Sequence, residues 1–243
     1  MRMAEFTPIE PKIVLAVGAH ADDIDFGAAG TVAKWAGNGV EVHYLVITDG
    51  CKGSADTTMT SEKLRDTREQ EQRDAVAALG AREAHFLRYE DGMLEVTMAL
   101  KKDIVRLIRQ LRPDTVIVMD PTMVYIPELS FINHPDHRAA GQATLDAVFP
   151  LARDHLSFPE LYRDEQLEPH KVAHLLLINL ERQNYYVDIT DTLDLKLEGL
   201  RRHTSQIADF ESVKTMIRNR AESLCAHTGS KYAEGFIRVD TQP

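Results

Sequence analysis

The apolar run Ile13–Val17 passes without a break into Val17-Gly-Ala-His-Ala-Asp-Asp-Ile-Asp-Phe-Gly27, and this junction constrains the fold more than any other stretch. The run is short, continuous and rich in β-branched residues, so it reads as a buried strand. Ala28 to Trp35 reads as the start of a helix. His20, Asp22 and Asp23 therefore stand where a strand hands over to a helix. In an open α/β sheet, the crevice at the carboxyl ends of the strands is where ligands bind. Two adjacent carboxylates there must be desolvated or held on a tight turn. A helix dipole can account for such a pair on its own, and a divalent cation would compensate it more fully.

The rest of the chain repeats the same alternation. Phe26 to Asn38 reads as a helix ended by Gly37 and Gly39, and Val40 to Thr48 as a second strand closing on Thr48-Asp-Gly50. Cys51 to Thr60 is small and polar, which predicts a loop. Glu62 to Leu79 is a charge-rich helix, and Ala84 to Leu87 a short strand followed by Tyr89-Glu-Asp-Gly92. Met98 to Leu111 carries apolar residues at helical spacing and is stopped by Pro113. Thr115 to Met119 is a fourth strand. This βαβαβαβ order predicts an α/β protein with a Rossmann-like, largely parallel sheet flanked by helices.

Asp120 to Asn133 is a long connection, too apolar for a linker, and loops of that length are usually functional. Its Tyr125, Leu129 and Phe131 are expected to wall a substrate pocket. His134 to Phe149 reads as a helix, Ser157 to His170 as irregular, Val172 to Ile178 and Tyr185 to Ile189 as strands, and Leu193 to His203 and Phe210 to Cys225 as helices. This C-terminal part is less regular and is expected to pack as an appendage beside the sheet. The 243 residues suit one domain over 1–243.

Net charge of -10 argues against nucleic acid as a partner. Two cysteines make neither a disulfide framework nor a Cys-rich zinc site, and fit a reducing cytoplasm. Met1 to Lys12 has no apolar core of signal-peptide length, and no apolar run is long enough for a bilayer. The expected partner is a small molecule, with neither nucleic acid nor membrane, and the sequence leaves room for a homo-oligomer.

Asn133-His-Pro-Asp-His-Arg138 is the second constellation. With Asn133 as a cap, Pro135 falls in the tolerated first turn, and His134 and His137 share a helix face. A capping turn with exposed histidines would account for the string alone. Both constellations, however, follow predicted parallel strands at the same end of the sheet.

Together, His20-Ala-Asp-Asp-Ile-Asp25 and His134-Pro-Asp-His-Arg138 resemble the zinc-dependent N-deacetylases of the LmbE / PIG-L family. The resemblance continues through Thr48-Asp-Gly50, Arg68-Glu-Gln-Glu71 with Ala75 and Leu79-Gly80, and Asp91-Gly92. It extends to Val187-Asp-Ile-Thr190, Lys196, His203 with Ser205-Gln206, and Tyr232-Ala-Glu234, so it covers nearly the whole chain. Ala21 replaces the family's usual proline, and Ile24-Asp25 stands where Glu or Ile-Glu is usual.

The resemblance implies removal of an acetyl group from an N-acetylated amino sugar or related amine by a metal-activated water. It implies His20, Asp23 and His137 as metal ligands, Asp22 as general base and His134 as oxyanion donor. Asp136 and Asp25 would act behind the ligands, and Arg68 and Asp91 would contact substrate hydroxyls. Zn2+ is the implied cofactor, though a His-Asp-His set also accepts Fe2+, Co2+ or Mn2+. Other chemistries on such a site are an amidase for larger acyl groups and a hydratase. A dinucleotide fold would want Gly-x-Gly-x-x-Gly after the first strand, and a zincin His-Glu-x-x-His; neither string is present.

Overall fold

The computed structural model describes residues 7–241, so part of the Met1 to Lys12 reading lies outside the described residues. The chain runs β1 (Ile13–Gly18), α1 (Asp23–Gly37), β2 (Glu41–Thr48), α2 (Ser61–Ala78), β3 (Glu83–Tyr89), α3 (Met98–Leu111) and β4 (Thr115–Met119). It continues with β5 (Tyr125–Ile126), β6 (Phe131–Ile132), α4 (Pro135–Asp146), α5 (Pro159–Arg163), β7 (His174–Ile178), β8 (Tyr185–Asp188), α6 (Leu193–Arg201), α7 (Phe210–Ser223) and β9 (Ala233–Asp240).

Seven strands form one sheet in the order β3-β2-β1-β4-β7-β9-β8. All run the same way except β9, which pairs antiparallel with both β7 and β8. The period-2 side-chain alternation of a strand explains the two cores. Val14 and Ala16 of β1 enter the layer built with α1, α6 and α7. Leu15 and Val17 enter the opposite layer with α3 and α4. Burial on both faces is why β1 and β4 read as continuous apolar runs. On α3, Leu100, Ile104, Leu107 and Ile108 form the buried stripe, and Thr97 caps its start by accepting from the Leu100 amide. Each fully buried Leu or Ile stabilises by about 1.5–3 kcal/mol relative to exposure, so these layers hold the strand ends firmly.

The chain moves outward from β1 through β2 to β3, then returns to place β4 on the other side of β1. This reversal leaves a crevice between the carboxyl ends of β1 and β4, the position favoured for ligands in such sheets.

The structure departs from the sequence reading, or adds to it, at three points. The C-terminal part is not an appendage: β7, β9 and β8 complete the sheet, and α6 packs on α1 and α2. The strand β9 was not read from the sequence. Asp120 to Asn133 is not irregular throughout, because β5 and β6 pair as a small antiparallel hairpin around a short 3-10 turn, Pro127–Leu129. Among the described residues, no helix is long and apolar enough to cross a membrane.

Candidate active site

The turn after β1 is pinned by its own carboxylate. Asp23 Oδ2 accepts from the amides of Ala19 and His20, each at 2.9 Å. Asp22 then adopts φ 90, ψ -27, a left-handed conformation rarely taken by a residue other than glycine. Strain of this kind concentrates at functional sites. Its amide donates to Gln72 Oε1 at 3.0 Å, and α1 begins at the next residue. The helix thus starts three residues earlier than expected, and the carboxylate pair is part of its first turn.

The second constellation is set differently from expectation. His134, not Asn133, caps α4: its Nδ1 accepts from the Asp136 amide at 3.2 Å. Asn133 donates to the Met123 carbonyl at 2.7 Å, and its Oδ1 lies 2.9 Å from His137 Nδ1. That carboxamide oxygen can only accept, so His137 carries its proton on Nδ1 and presents a lone pair at Nε2.

His20 is oriented in the same way. Its Nε2 lies 3.1 Å from Asp91 Oδ1 and 3.4 Å from Asp136 Oδ2, and these acceptors fix the proton there. Asp136 is itself held by the amides of Gly92 and Leu94. His20 Nδ1 then faces His137 Nε2 at 3.2 Å, with Asp23 Oδ1 3.0 Å from His137 Nε2 and Asp23 Oδ2 3.8 Å from His20 Nδ1.

Two lone-pair nitrogens and a carboxylate converging without a proton between them fit a bound cation. Two nitrogens that share a tetrahedral ion at 2.0–2.1 Å stand about 3.3 Å apart. The electrostatics agree. Burial alone would depress the His20 imidazole, yet Asp136, Asp91 and Asp23 together raise its pKa to about 10. Positive charge is favoured at this point, whether a proton or a metal carries it.

Burial works to raise Asp23, but His137 and His20 overcome it and hold the carboxyl low. Asp22 behaves oppositely: burial, then the Asp23 charge, raise it to about 6 against the pull of Arg68 and His203. Burial, then His20, lower the His134 pKa, which favours neutral imidazole. With Nδ1 accepting from a backbone amide, neutral His134 must carry its proton on Nε2. His134 also stands close enough to His20 and His137 for one nitrogen of each to meet around a single ion.

The pocket over this cluster is lined by His20, Asp22, Asp23, Arg68, Asp91, His134 and His137, with Phe26, Lys52, Gly53, Gly92 and Gln206. Tyr125, Leu129 and Phe131 are not among its walls. Tyr125 and Leu129 are 63% and 58% exposed at the hairpin, which corrects the expected pocket wall. Arg68 borders the pocket, but its Nη1 and Nη2 donate to the carbonyls of Gly50 (3.1 Å) and Ala21 (2.9 Å). Gly50, at φ +59, lies so close that a Cβ there would sit 3.1 Å from the guanidinium. Both oxygens of Asp91 are engaged, by His20 and by the Lys52 amide at 2.9 Å. Arg68 and Asp91, expected as substrate contacts, spend these groups on shaping the turn and orienting His20.

Asp25 touches neither His20 nor His137. Fully buried, it accepts from Tyr44 (3.1 Å), Gln72 (2.8 Å) and His203 (2.7 Å). Through Gln72, whose Oε1 accepts from the Asp22 amide, it connects to the turn that carries Asp22. Sequence reasoning assigned no role to Gln72 or to His203, although His203 was noted within a family-like string. Lys196 and Glu234, two further family-like positions, form a buried ion pair at 2.6 Å, and Glu234 also accepts from the amides of Gly30 and Thr31 in α1.

The diacetylchitobiose deacetylase of Thermococcus kodakarensis is 32% identical over 227 residues, spanning 93% of this chain and 82% of that protein. The structure of N,N'-diacetylchitobiose deacetylase from Pyrococcus horikoshii, complexed with its inhibitor MPG, matches with a TM-score of 0.86 at 32% identity, covering 95% of this chain and 84% of that one. GalB, the 4-carboxy-2-hydroxymuconate hydratase of Pseudomonas putida KT2440, shares the fold with a TM-score of 0.79 at 20% identity, over 96% and 98% of the two chains. Residues 15–148 match the family described as PIG-L, GlcNAc-PI de-N-acetylase, and the chain belongs to that family.

Proposed function

We propose that this chain is a metal-dependent N-deacetylase acting on an N-acetylated amino sugar of the N-acetylglucosamine type. The observation that carries the reading is the convergence of His20 Nδ1, His137 Nε2 and the Asp23 carboxylate beside the strained Asp22, whose Oδ1 lies 3.7 Å from Arg68 Nη2. In this reading His20, Asp23 and His137 hold a divalent ion, Zn2+ or one of Fe2+, Co2+ and Mn2+. Such an ion acidifies water and polarises a carbonyl.

The chain's own groups do the rest. Asp22 takes a proton from the attacking water, whose oxygen bonds to the amide carbon. His134 donates from Nε2 to the oxygen on which charge develops. Asp22 returns its proton to the nitrogen as the carbon–nitrogen bond breaks, leaving acetate and a free amine. Asp91 and Asp136 keep His20 in the required tautomer, and Asn133 does so for His137. Asp25 holds Gln72, which anchors the Asp22 amide.

The fold alone also suits a hydratase, since GalB shares it. Hydration of an unsaturated polycarboxylate would need a cationic cradle. Among the described residues the lysine and arginine side chains lining the pocket are Lys52 and Arg68, set against Asp22, Asp23 and Asp91, and Arg68 is largely spent on backbone carbonyls. That balance favours a neutral, hydroxyl-rich amide. Acetate and free amine measured together on a panel of N-acetylated and longer N-acyl amino sugars test the reading. Equal release of both, abolished by a chelator and restored by a divalent metal, is expected. Conversion of an unsaturated carboxylate with no amide hydrolysis across the panel would overturn it.

A further inference from the structure

The string Glu-x-His occurs on two neighbouring parallel strands, as Glu41-Val-His43 on β2 and Glu83-Ala-His85 on β3. Residues two apart on a strand face the same side. The register pairs His43 with Glu83 and Leu45 with His85, so all four side chains belong to one face of the sheet, at its β3 edge. They lie near the amino ends of the strands, whereas the site above lies at the carboxyl ends. His43 is five residues before Thr48, about 16 Å along the strand.

The four side chains do more than share a face. His43 is 4% exposed. Its Nε2 lies 2.9 Å from Glu41 Oε1, which holds the proton there and turns a lone pair at Nδ1 toward the neighbouring strand. His85 Nε2 meets that Nδ1 at 3.2 Å, and Glu83 Oε2 is 3.9 Å from His85 Nε2. This repeats the elements of the catalytic cluster: two imidazoles, a carboxylate, and a second carboxylate fixing the buried imidazole from behind. The nitrogen spacing again matches the roughly 3.3 Å of two ligands on one tetrahedral ion. Burial lowers the His85 pKa, so it offers a neutral ring. Its side chain and that of Glu83 are 25% and 62% exposed, which leaves a path for an ion to enter.

We propose that His43 Nδ1, His85 Nε2 and Glu83 form a second binding site for a borderline divalent transition-metal ion such as Zn2+, clipping the edge strand β3 to β2. Glu41 positions His43, and the side chain of His85 adopts the tautomer with its proton on Nδ1. Nothing in the catalytic reading requires these residues, and the site does not depend on that reading.

The test is Zn2+ titration of the intact protein, followed by metal analysis and thermal melting. Wild type should take up two equivalents, His85→Ala one, and Asp23→Ala one. In Asp23→Ala the remaining equivalent should raise Tm, and combining it with His85→Ala should remove both the equivalent and the rise. His85→Ala should keep its basal turnover, and Glu83→Gln should weaken only the second equivalent. Should a His85 variant be poorly folded, His85→Asn, which keeps a polar side chain, provides the same comparison. A His85→Ala protein that binds as many equivalents as wild type, with Glu83→Gln equally without effect, would show that the two rings merely share a hydrogen bond and would overturn the proposal. Failure of the catalytic reading is distinguishable, because it alters the equivalent lost in Asp23→Ala and leaves the one lost in His85→Ala.

Discussion

Asp22 and Asp23 are adjacent in the chain, yet their carboxyl groups titrate in opposite directions. Burial and the Asp23 charge push Asp22 up to about 6, whereas His137 and His20 outweigh burial and hold Asp23 low. Pairs whose environments separate their pKa values mark distinct roles: here, a base that can accept a proton and a ligand that stays ionised. Asp22→Asn should therefore keep the metal and lose on the order of 10²–10⁴-fold in turnover. Loss of metal in that variant would make Asp22 a ligand.

The same substitution should stabilise the chelator-treated protein. The folded pKa of Asp22 lies above its ordinary 3.8, so its favourable contribution is complete below the unfolded value and is lost as pH rises through about 6. At neutral pH the ionised group costs stability, and asparagine removes the charge while tolerating the left-handed backbone. A rise in Tm on the order of a few degrees at neutral pH is expected, shrinking toward pH 4. A lower Tm at pH 7 would mean that the ionised carboxylate is stabilising where it stands.

Activity should fall on the acid side as Asp22 becomes protonated. A divalent cation beside Asp23 adds to the downward pull of Arg68 and His203 on Asp22, so the acid limb of kcat/KM should lie at or below about pH 6. It should disappear in the residual activity of Asp22→Asn. An acid limb centred well above neutrality, or one that persists in the variant, would rule Asp22 out as the base.

His134 caps α4 and His137 lies three residues on, in its first turn, and the proposed reading divides the work between them. His137→Ala, like His20→Ala or Asp23→Ala, should reduce bound metal to a minor fraction. His134→Ala should retain it and lose roughly 10²–10³-fold in kcat, the usual loss of one oxyanion donor. Metal analysis of both variants separates the roles, because the three imidazoles are close enough to share one ion. Metal lost from His134→Ala would place that ring in the ligand set.

What could be read from the sequence was what is local. Strands buried on both faces announce themselves as apolar runs, and α3 shows its stripe at helical spacing, so the sheet from β1 to β4 and both charged turns were legible. Ala233–Asp240 was not, because Glu234, Arg238 and Asp240 interrupt its apolar residues, and its place between β7 and β8 is set by pairing far along the chain. Asp25 and His203 are 178 positions apart, so nothing local announced that they meet. The tautomers of His20 and His137 depend on Asp91, Asp136 and Asn133, which only the fold brings together. The apolar hairpin misled for a related reason: hydrophobic composition predicts burial, but Tyr125 and Leu129 project from a two-stranded ribbon too small to bury them.

That last correction changes which residues should govern substrate binding. The pocket rim is formed by Lys52 and Gly53 from the loop after β2 and by Gln206 after α6, while the hairpin stands outside it. Gln206 Nε2 donates to the Gly53 carbonyl at 3.1 Å, tying the loop to the C-terminal segment across the pocket mouth. In the proposed reading an amino sugar enters past this bridge. Gln206→Ala should raise KM for the amino sugar while leaving metal content unchanged, and Tyr125→Ala should alter neither by more than a small factor. A large KM effect from Tyr125→Ala with none from Gln206→Ala would return the pocket wall to the hairpin.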